Sequence, residues 1–285
     1  MTINILGAGS WGLALAHLLS KKKLVVKIWL RSEKKSLELS RERVFSKLPG
    51  FQINTNIIFT SNLSDLDFQN LTIIALPSNV VYRTLKKINN FNCDVLICSK
   101  GFDPDSTLLL SDSIHESFGI NSNKLAVLSG PNHAEEITQN KPSATVIASS
   151  NIKLVKSLQL LFYSKDFRVY ITNDLIGVQL GGAIKNIISI ASGICFSLNM
   201  GDNIVAALIT RGLNEMLSLE KKYDIDKNTL YGLSGIGDLM ATCYSRHSRN
   251  RKFGELIGSG ANVDSALDEI NATVEGLIAC KIVND

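Results

Sequence analysis

The sequence predicts an α/β protein: a doubly wound, Rossmann-like sheet over residues 1–173, then an all-α domain over 174–285. Three observations predict it. Short apolar runs alternate with amphipathic stretches through the first part, and such alternation builds a parallel sheet covered by helices on both faces. The glycine-rich turn ILGAGSWG (5–12) joins the first run to the first amphipathic stretch. After Asn173 no run of strand character occurs and long helical patterns take over.

Taken in order, INIL (3–6), VVKIWL (25–30), LTIIAL (71–76), DVLICS (94–99), KLAVLSG (124–130) and SATVIAS (143–149) read as strands, each rich in Val, Ile or Leu and bounded by turn residues. FRVYIT (167–172) reads as the last strand. Helical patterns fall at about 11–22, 33–47, 79–89 and 106–118, and then at about 174–199 and 202–223, followed by Gly-rich loops and shorter helices. The change of texture places a domain boundary near residue 173. A two-domain chain of this kind is expected to take its ligand in the cleft between the domains.

Composition narrows the class. Hydrophobic residues make up 45% of the 285 and charged residues 20%, as in ordinary globular proteins. A net charge of +4 is too mild to argue for nucleic acid. Its distribution is uneven: residues 1–60 hold ten basic and three acidic side chains, which reads as a solvated helix face or as attraction for an anionic ligand. Five cysteines without a CxxC pair show neither metal spacing nor a disulfide framework, so reduced thiols in a cytoplasm are expected. MTINILGAG has no basic region ahead of its apolar run, unlike a signal peptide. No eighteen consecutive apolar residues occur, so no membrane span is expected.

The glycine turn carries the first chemical signal. Gly7, Gly9 and Gly12 match G-x-G-x-x-G between a strand and a helix. Gly7 allows the tight turn, Gly9 lets backbone approach a pyrophosphate, and Gly12 lets helix and strand pack closely. The pyrophosphate would sit on the helix N-terminus, where free N–H groups and the dipole favour anions. At the end of the second strand, where an NAD-specific site usually has an acid, the sequence has Arg31, with Glu33 two residues on. Arg31, with Lys34, suits a 2′-phosphate; alternatively Arg31 stacks on adenine and is indifferent to the phosphate.

Further candidates lie at strand ends and in the helical part. Lys100, in SKGF (99–102), ends a strand at the carboxyl edge of the sheet, where ligands bind in open α/β sheets; the other reading is a surface lysine. Asn132, in SGPNHAEEI (129–137), is either a helix cap or a substrate contact, and His133 reads as structural. Lys185 is the single cation in VQLGGAIKNIISIASGI (178–194). A helix starting near Gly181-Gly182 would bury Ile184, Ile187, Ile188 and Ala191. Lys185 then either snorkels to solvent or sits partly desolvated, its pKa lowered toward the range useful for proton transfer. Asp202 lies near a helix start, and Arg211 is structural or pairs across domains. SGIGDLMATCYSRHSRNRKFG (234–254) holds Asp238, Thr242, Ser248, Arg249, Asn250 and Arg251. Ser248, Arg249 and Asn250 would make a phosphate clamp, since guanidinium binds phosphate bidentately.

These motifs, in this order, resemble the NAD(P)-dependent glycerol-3-phosphate dehydrogenases of the bacterial type. The resemblance runs from GAGSWG through ALPS (75–78), SKGF, SGPNHAEE, GGAIKNIISIASG, GDN…ALITRGL, GIGDLMATC and SRNRKFG to TVEG (273–276), nearly the whole chain. It implies reduction of dihydroxyacetone phosphate to sn-glycerol 3-phosphate with NADPH or NADH, in the cytoplasm and in the service of phospholipid synthesis. Lys185 matches the catalytic lysine. Gly7, Gly9, Ser10, Trp11, Gly12, Arg31, Lys100, Ala134, Arg249 and Glu275 match cofactor-binding positions. Lys100, Gly130, Asn132, Asp238, Ser248, Arg249 and Asn250 match substrate-binding positions. No metal is implied; the partner is the small-molecule substrate, with a homodimer allowed. Two departures stand out: the family usually has Ser or Thr at Asn132 and an aromatic at His133, and its members continue for further helices after the VEG motif, expected to pack on the second domain. The competing readings are a related lysine-dependent hydroxy-acid dehydrogenase, disfavoured by the phosphate clamp, and a non-catalytic NAD(P)H-binding sensor.

Overall fold

A computed structural model describes residues 2–284. The elements run β1 (Thr2–Leu6), α1 (Ser10–Ser20), β2 (Val25–Trp29), α2 (Glu33–Glu42), β3 (Ile57–Thr60), β4 (Thr72–Ile74), α3 (Ser78–Leu85), β5 (Val95–Ile97), α4 (Leu110–Phe118), β6 (Leu125–Ser129), α5 (Ala134–Thr138), β7 (Ser143–Ala148), α6 (Ile152–Phe162) and β8 (Phe167–Thr172). Helices follow: α7 (Leu175–Ser197), α8 (Asp202–Ser218), α9 (Lys227–Tyr231), α10 (Asp238–Tyr244), α11 (Arg249–Gly258), α12 (Val263–Ile270) and α13 (Glu275–Asn284). No strand follows β8 among the described residues.

The chain forms two compact units. The first holds the eight-stranded sheet in the order β3-β2-β1-β4-β5-β6-β7-β8. β1 pairs in parallel with β2 and with β4, and the pairs β2–β3, β4–β5, β5–β6 and β7–β8 are parallel too. The order reverses at β1, which puts the glycine turn at the topological switch point where doubly wound sheets bind ligands. Ile3, Ile5, Val26, Ile28, Ile73 and Leu96 are fully buried, as strands covered on both faces must be.

The helix α6 lies outside the expected helical patterns and the one expected over 79–89 ends at Leu85; three further departures have a visible local cause. The strand β3 is an additional one: only four residues long, at a sheet edge, with Ile58 exposed, it offers too short a run to stand out. The helix expected to 47 stops at Glu42, where Arg43 turns left-handed (φ 57°). The helix expected from 106 begins at Leu110, because Thr107 is left-handed (φ 61°) and Asp103 organises the turn by accepting from the Asp105 N–H and the Ser106 hydroxyl.

The second unit comprises residues 174–285 with two short segments from earlier in the chain, 100–109 and 129–131. Its centre is α7, which packs against α8, α10, α11 and α13. By length and composition α7 could cross a membrane, yet 67% of its most apolar window is buried within the protein, as befits a core helix. Phe102 and Leu109 close the 100–109 segment by a bridge and pack on Leu180 and Ala183 of α7. This anchors Lys100 to the helical unit rather than to the sheet.

Candidate active site

In the first unit the glycine turn has the geometry its sequence requires. Gly7 has φ 114° and its N–H donates to Trp29 O; a Cβ there would lie 2.6 Å from Ala75 O. A Cβ on Gly12 would fall 1.9 Å from Gly7 O, so helix and strand pack with no room for one. Nothing stands within 4 Å of a Cβ built on Gly9. Gly9 is the N-cap of α1, with no side-chain cap and no acid in the first turn, so the opening N–H groups at Ser10, Trp11 and Gly12 are left for an anion. These residues fit a dinucleotide pyrophosphate. The indole of Trp11 is committed, donating to Cys98 O at 3.2 Å. Arg31 is exposed just beyond β2, and Glu33 is in the first turn of α2, capped by Ser32. Ala134 is buried at the start of α5.

Asn132 is not the cap of α5. His133 holds that position, and its side chain makes no cap bond. The amide of Asn132 donates instead to Ser143 Oγ and Ala144 O, tying the turn to β7, while its Oδ1 is buried without a partner among the described residues.

In the second unit Lys185 does not snorkel: it is only 5% exposed. The expected buried face is borne out only in part. Ile188 is buried as expected, Ile184, Ile187 and Ala191 are half-buried, and Lys185, Asn186, Ser189 and Ser192 are buried. The reason lies in α10 and the start of α11, which bring polar partners to that side. Ser189 donates to Thr242 O and meets Ser248 Oγ at 3.1 Å, and Asn186 accepts from Asn250.

The Lys185 ammonium donates to Asp238 Oδ1 at 2.5 Å and to Thr242 Oγ1 at 2.7 Å. The other carboxylate oxygen, Oδ2, accepts from Lys100 at 2.6 Å, with Ser129 Oγ at 3.5 Å. Lys100 donates also to Gly130 O, where the backbone has φ 151°. A glycine at 181 allows this convergence: its Cβ would lie 2.5 Å from Ser234 O, in the π-helical turn Leu233–Gly237 that delivers Asp238.

Two ammonium groups thus share one carboxylate, 2% exposed, leaving a surplus positive charge. Desolvation lowers the pKa of Lys185 to about 7; Asp238 opposes that fall and Lys100 adds to it. Burial would raise the carboxyl of Asp238, but Lys100 and Lys185 together hold it below the ordinary range. An ammonium has three donors, and two of Lys185's are taken. The arrangement can offer a proton near neutrality to an oxygen that accepts the third.

The expected clamp is only partly assembled. Ser248 is buried and caps α11 by accepting from the Arg251 N–H. Asn250 Nδ2 donates one hydrogen to Asn186 Oδ1 (2.9 Å), and its Oδ1 accepts from the Gly276 N–H (3.0 Å), so most of its side chain's bonding goes to structure. Arg249 is exposed at the first position of α11. Glu275 opens α13, and Arg211 is exposed on α8. Ser129 is a site residue that the sequence reading did not single out, since a strand-end serine carries no local signal of its distant partner Asp238.

Comparison with known proteins agrees over the whole chain. Family models described as the N-terminus and the C-terminus of NAD-dependent glycerol-3-phosphate dehydrogenase match residues 2–155 and 174–285. A glycerol-3-phosphate dehydrogenase (NAD(P)+) of Fusobacterium nucleatum is 41% identical over 284 residues, covering 98% of this chain and 85% of that one. One from Halothermothrix orenii is 40% identical over 288 residues, covering 99% and 84%. The crystal structure of glycerol-3-phosphate dehydrogenase (gpsA) from Coxiella burnetii superposes with a TM-score of 0.93 at 35% identity, covering 99% of this chain and 88% of that one.

Proposed function

The chain belongs to the NAD-dependent glycerol-3-phosphate dehydrogenase family, and on that premise we propose how its residues carry out the reaction. The activity is reversible NAD(P)H-dependent reduction of dihydroxyacetone phosphate to sn-glycerol 3-phosphate, a source of glycerol phosphate for phospholipid synthesis. The cofactor, when bound, supplies the hydride; Gly7, Gly9 and Gly12 with the first turn of α1 hold its pyrophosphate, and Arg31 meets its adenosine end.

Lys185 is the general acid of reduction and the base of oxidation. Its ammonium protonates the oxygen of the substrate carbonyl as that oxygen gains charge, and the neutral amine takes the proton back in reverse. The surplus charge shared among Lys185, Lys100 and Asp238 stabilises the developing alkoxide, which exists only on the way to product. Thr242 and Asp238 orient the ammonium. The substrate phosphate is held by the Arg249 guanidinium and by the Arg249 and Asn250 N–H groups, which precede the first intrahelical bonds of α11. The bond from Asn250 to Asn186 and the contact between the Ser189 and Ser248 hydroxyls set that helix start beside the turn of α7 that carries Lys185. We further propose a cytoplasmic enzyme with no nucleic-acid partner.

The observation that carries this reading is the buried Lys185–Asp238 pair at 2.5 Å. Lys185→Ala is expected to slow reduction by about 10²–10⁴ while NADPH fluorescence titration still reports binding to the glycine turn. Turnover at the parent rate would refute the assignment.

A further inference from the structure

We propose that the first unit carries a docking face for an anionic lipid surface, made by α6 and the C-terminal end of α1. The exposed side of α6 presents Ile152, Lys153, Lys156 and Leu160, with Tyr163 at its C-cap. The opposite side, Leu154, Val155, Leu158 and Phe162, is buried in the core. The three apolar members are far from covered: Ile152 is 56%, Leu160 75% and Tyr163 50% exposed. Lys21, Lys22 and Lys23, all exposed, close α1, and Lys22 donates to Leu160 O at 2.7 Å, so this run adjoins the C-terminal end of α6. Neither helix contains an acidic residue. Lys153 and Lys156 make no ion pair among the described residues.

Five lysines and three protruding apolar side chains on adjoining helix ends have the character of an interfacial helix, with cations for headgroup phosphates and apolar tips for the acyl boundary. Charge complementarity selects an anionic partner. The protruding Leu160 selects a lipid among anionic partners, because neither a nucleic-acid backbone nor a polyacidic segment gives it anything apolar to enter. This face is separate from the residues assigned to the reaction, so docking and turnover can be perturbed independently.

The test is co-sedimentation of the full chain with vesicles of phosphatidylcholine containing about a third phosphatidylglycerol, against phosphatidylcholine alone. Each lysine near such a surface is worth about fivefold in partition. The parent is expected to partition at least about tenfold better onto the anionic vesicles. Lys153→Glu with Lys156→Glu should lower that partition about tenfold or more, and Leu160→Ser with Tyr163→Ser should lower it at unchanged charge. Both variants should reduce dihydroxyacetone phosphate at the parent rate, which shows them folded. Equal partition onto the two vesicle types, or variants that bind as the parent does, would overturn the proposal. So would retention on duplex DNA or polyglutamate that exceeds retention on vesicles and is indifferent to Leu160→Ser with Tyr163→Ser.

Discussion

Replacing Asp238 by Asn removes the one negative charge between two ammonium groups while keeping an acceptor oxygen for Lys185. Opposite charges about 4 Å apart are worth about 4 kcal/mol at an effective dielectric of about 20, or about three pKa units. The amide oxygen restores part of the hydrogen bonding, so we expect Lys185 to fall from about 7 by one to three units. The sign follows from the proposed roles: reduction that takes its proton from the Lys185 ammonium fails as pH rises through the lysine's pKa. At pH 7 about half of the parent's Lys185 carries its proton, and a two-unit fall leaves about one in a hundred. Asp238→Asn should therefore reduce dihydroxyacetone phosphate about fiftyfold more slowly at pH 7 and recover toward the parent rate near pH 5. The folded pKa lies below the unfolded value of 10.5, so stability drops as pH falls toward the folded pKa. The variant's deficit should thus grow by about 2–3 kcal/mol between pH 7 and 5. The assay is NADPH consumption at saturating substrate from pH 5 to 9, beside thermal melts at the same values. A variant that loses activity equally at every pH, with the limb still near 7, would refute the electrostatic reasoning.

Arg249→Ala should raise the KM for dihydroxyacetone phosphate by about tenfold or more, as loss of a charge-assisted contact worth about 1.5–3 kcal/mol demands; an unchanged KM would remove Arg249 from the phosphate site. Asn250→Ala should instead cost about 1–3 kcal/mol of stability by orphaning Asn186 Oδ1 and the Gly276 N–H, read as a lower denaturant midpoint, with KM moving less than in Arg249→Ala. Gly181→Ala must push α7 off Ser234 O, now 2.5 Å from where the methyl would sit. We expect about 1–3 kcal/mol of destabilisation with a lower kcat, and a stable, fully active variant would show that the close approach is dispensable.

Much of this was open to inspection in the residues themselves. The glycine turn reads directly because each glycine answers a local steric demand, and those at 7 and 12 meet backbone within 2.6 Å of a hypothetical Cβ. Strand–helix alternation reads because a doubly covered sheet needs continuous apolar strands. The buried side of α7 reads only in part. Periodicity assigns Ile184, Ile187, Ile188 and Ala191 to the interior, and of these Ile188 is buried, while the polar side is buried because residues 53 to 64 positions away supply its partners. Nor does the placement of Lys100 read. Its segment follows a strand, yet Phe102 and Leu109 bind it to α7, a contact between residues some seventy positions apart that no local pattern encodes. The Ser248-Arg249-Asn250 stretch shows what composition leaves out. Composition alone makes three good phosphate ligands, and only the bonds that Asn250 gives to Asn186 and accepts from Gly276 reveal that most of one side chain's capacity is taken up within the fold.

The charge count at Asp238 also explains why this cluster is tolerated and why it suits its task. A buried ion pair is weak evidence for stability, since desolvation offsets most of the attraction; a second cation on the same carboxylate makes the balance worse. Replacement by apolar residues would give a better core. What the arrangement gains is a positive centre that the lysines' hydrogen bonds to Thr242 and Gly130, and that of Ser129 to Asp238, hold in place before any substrate arrives. An oxygen that acquires charge there meets an ammonium whose proton is held loosely and whose third N–H has no other partner among the described residues. The field acts most strongly on the alkoxide and least on the neutral ketone, so the electrostatic cost carried by the fold is returned where the alkoxide forms.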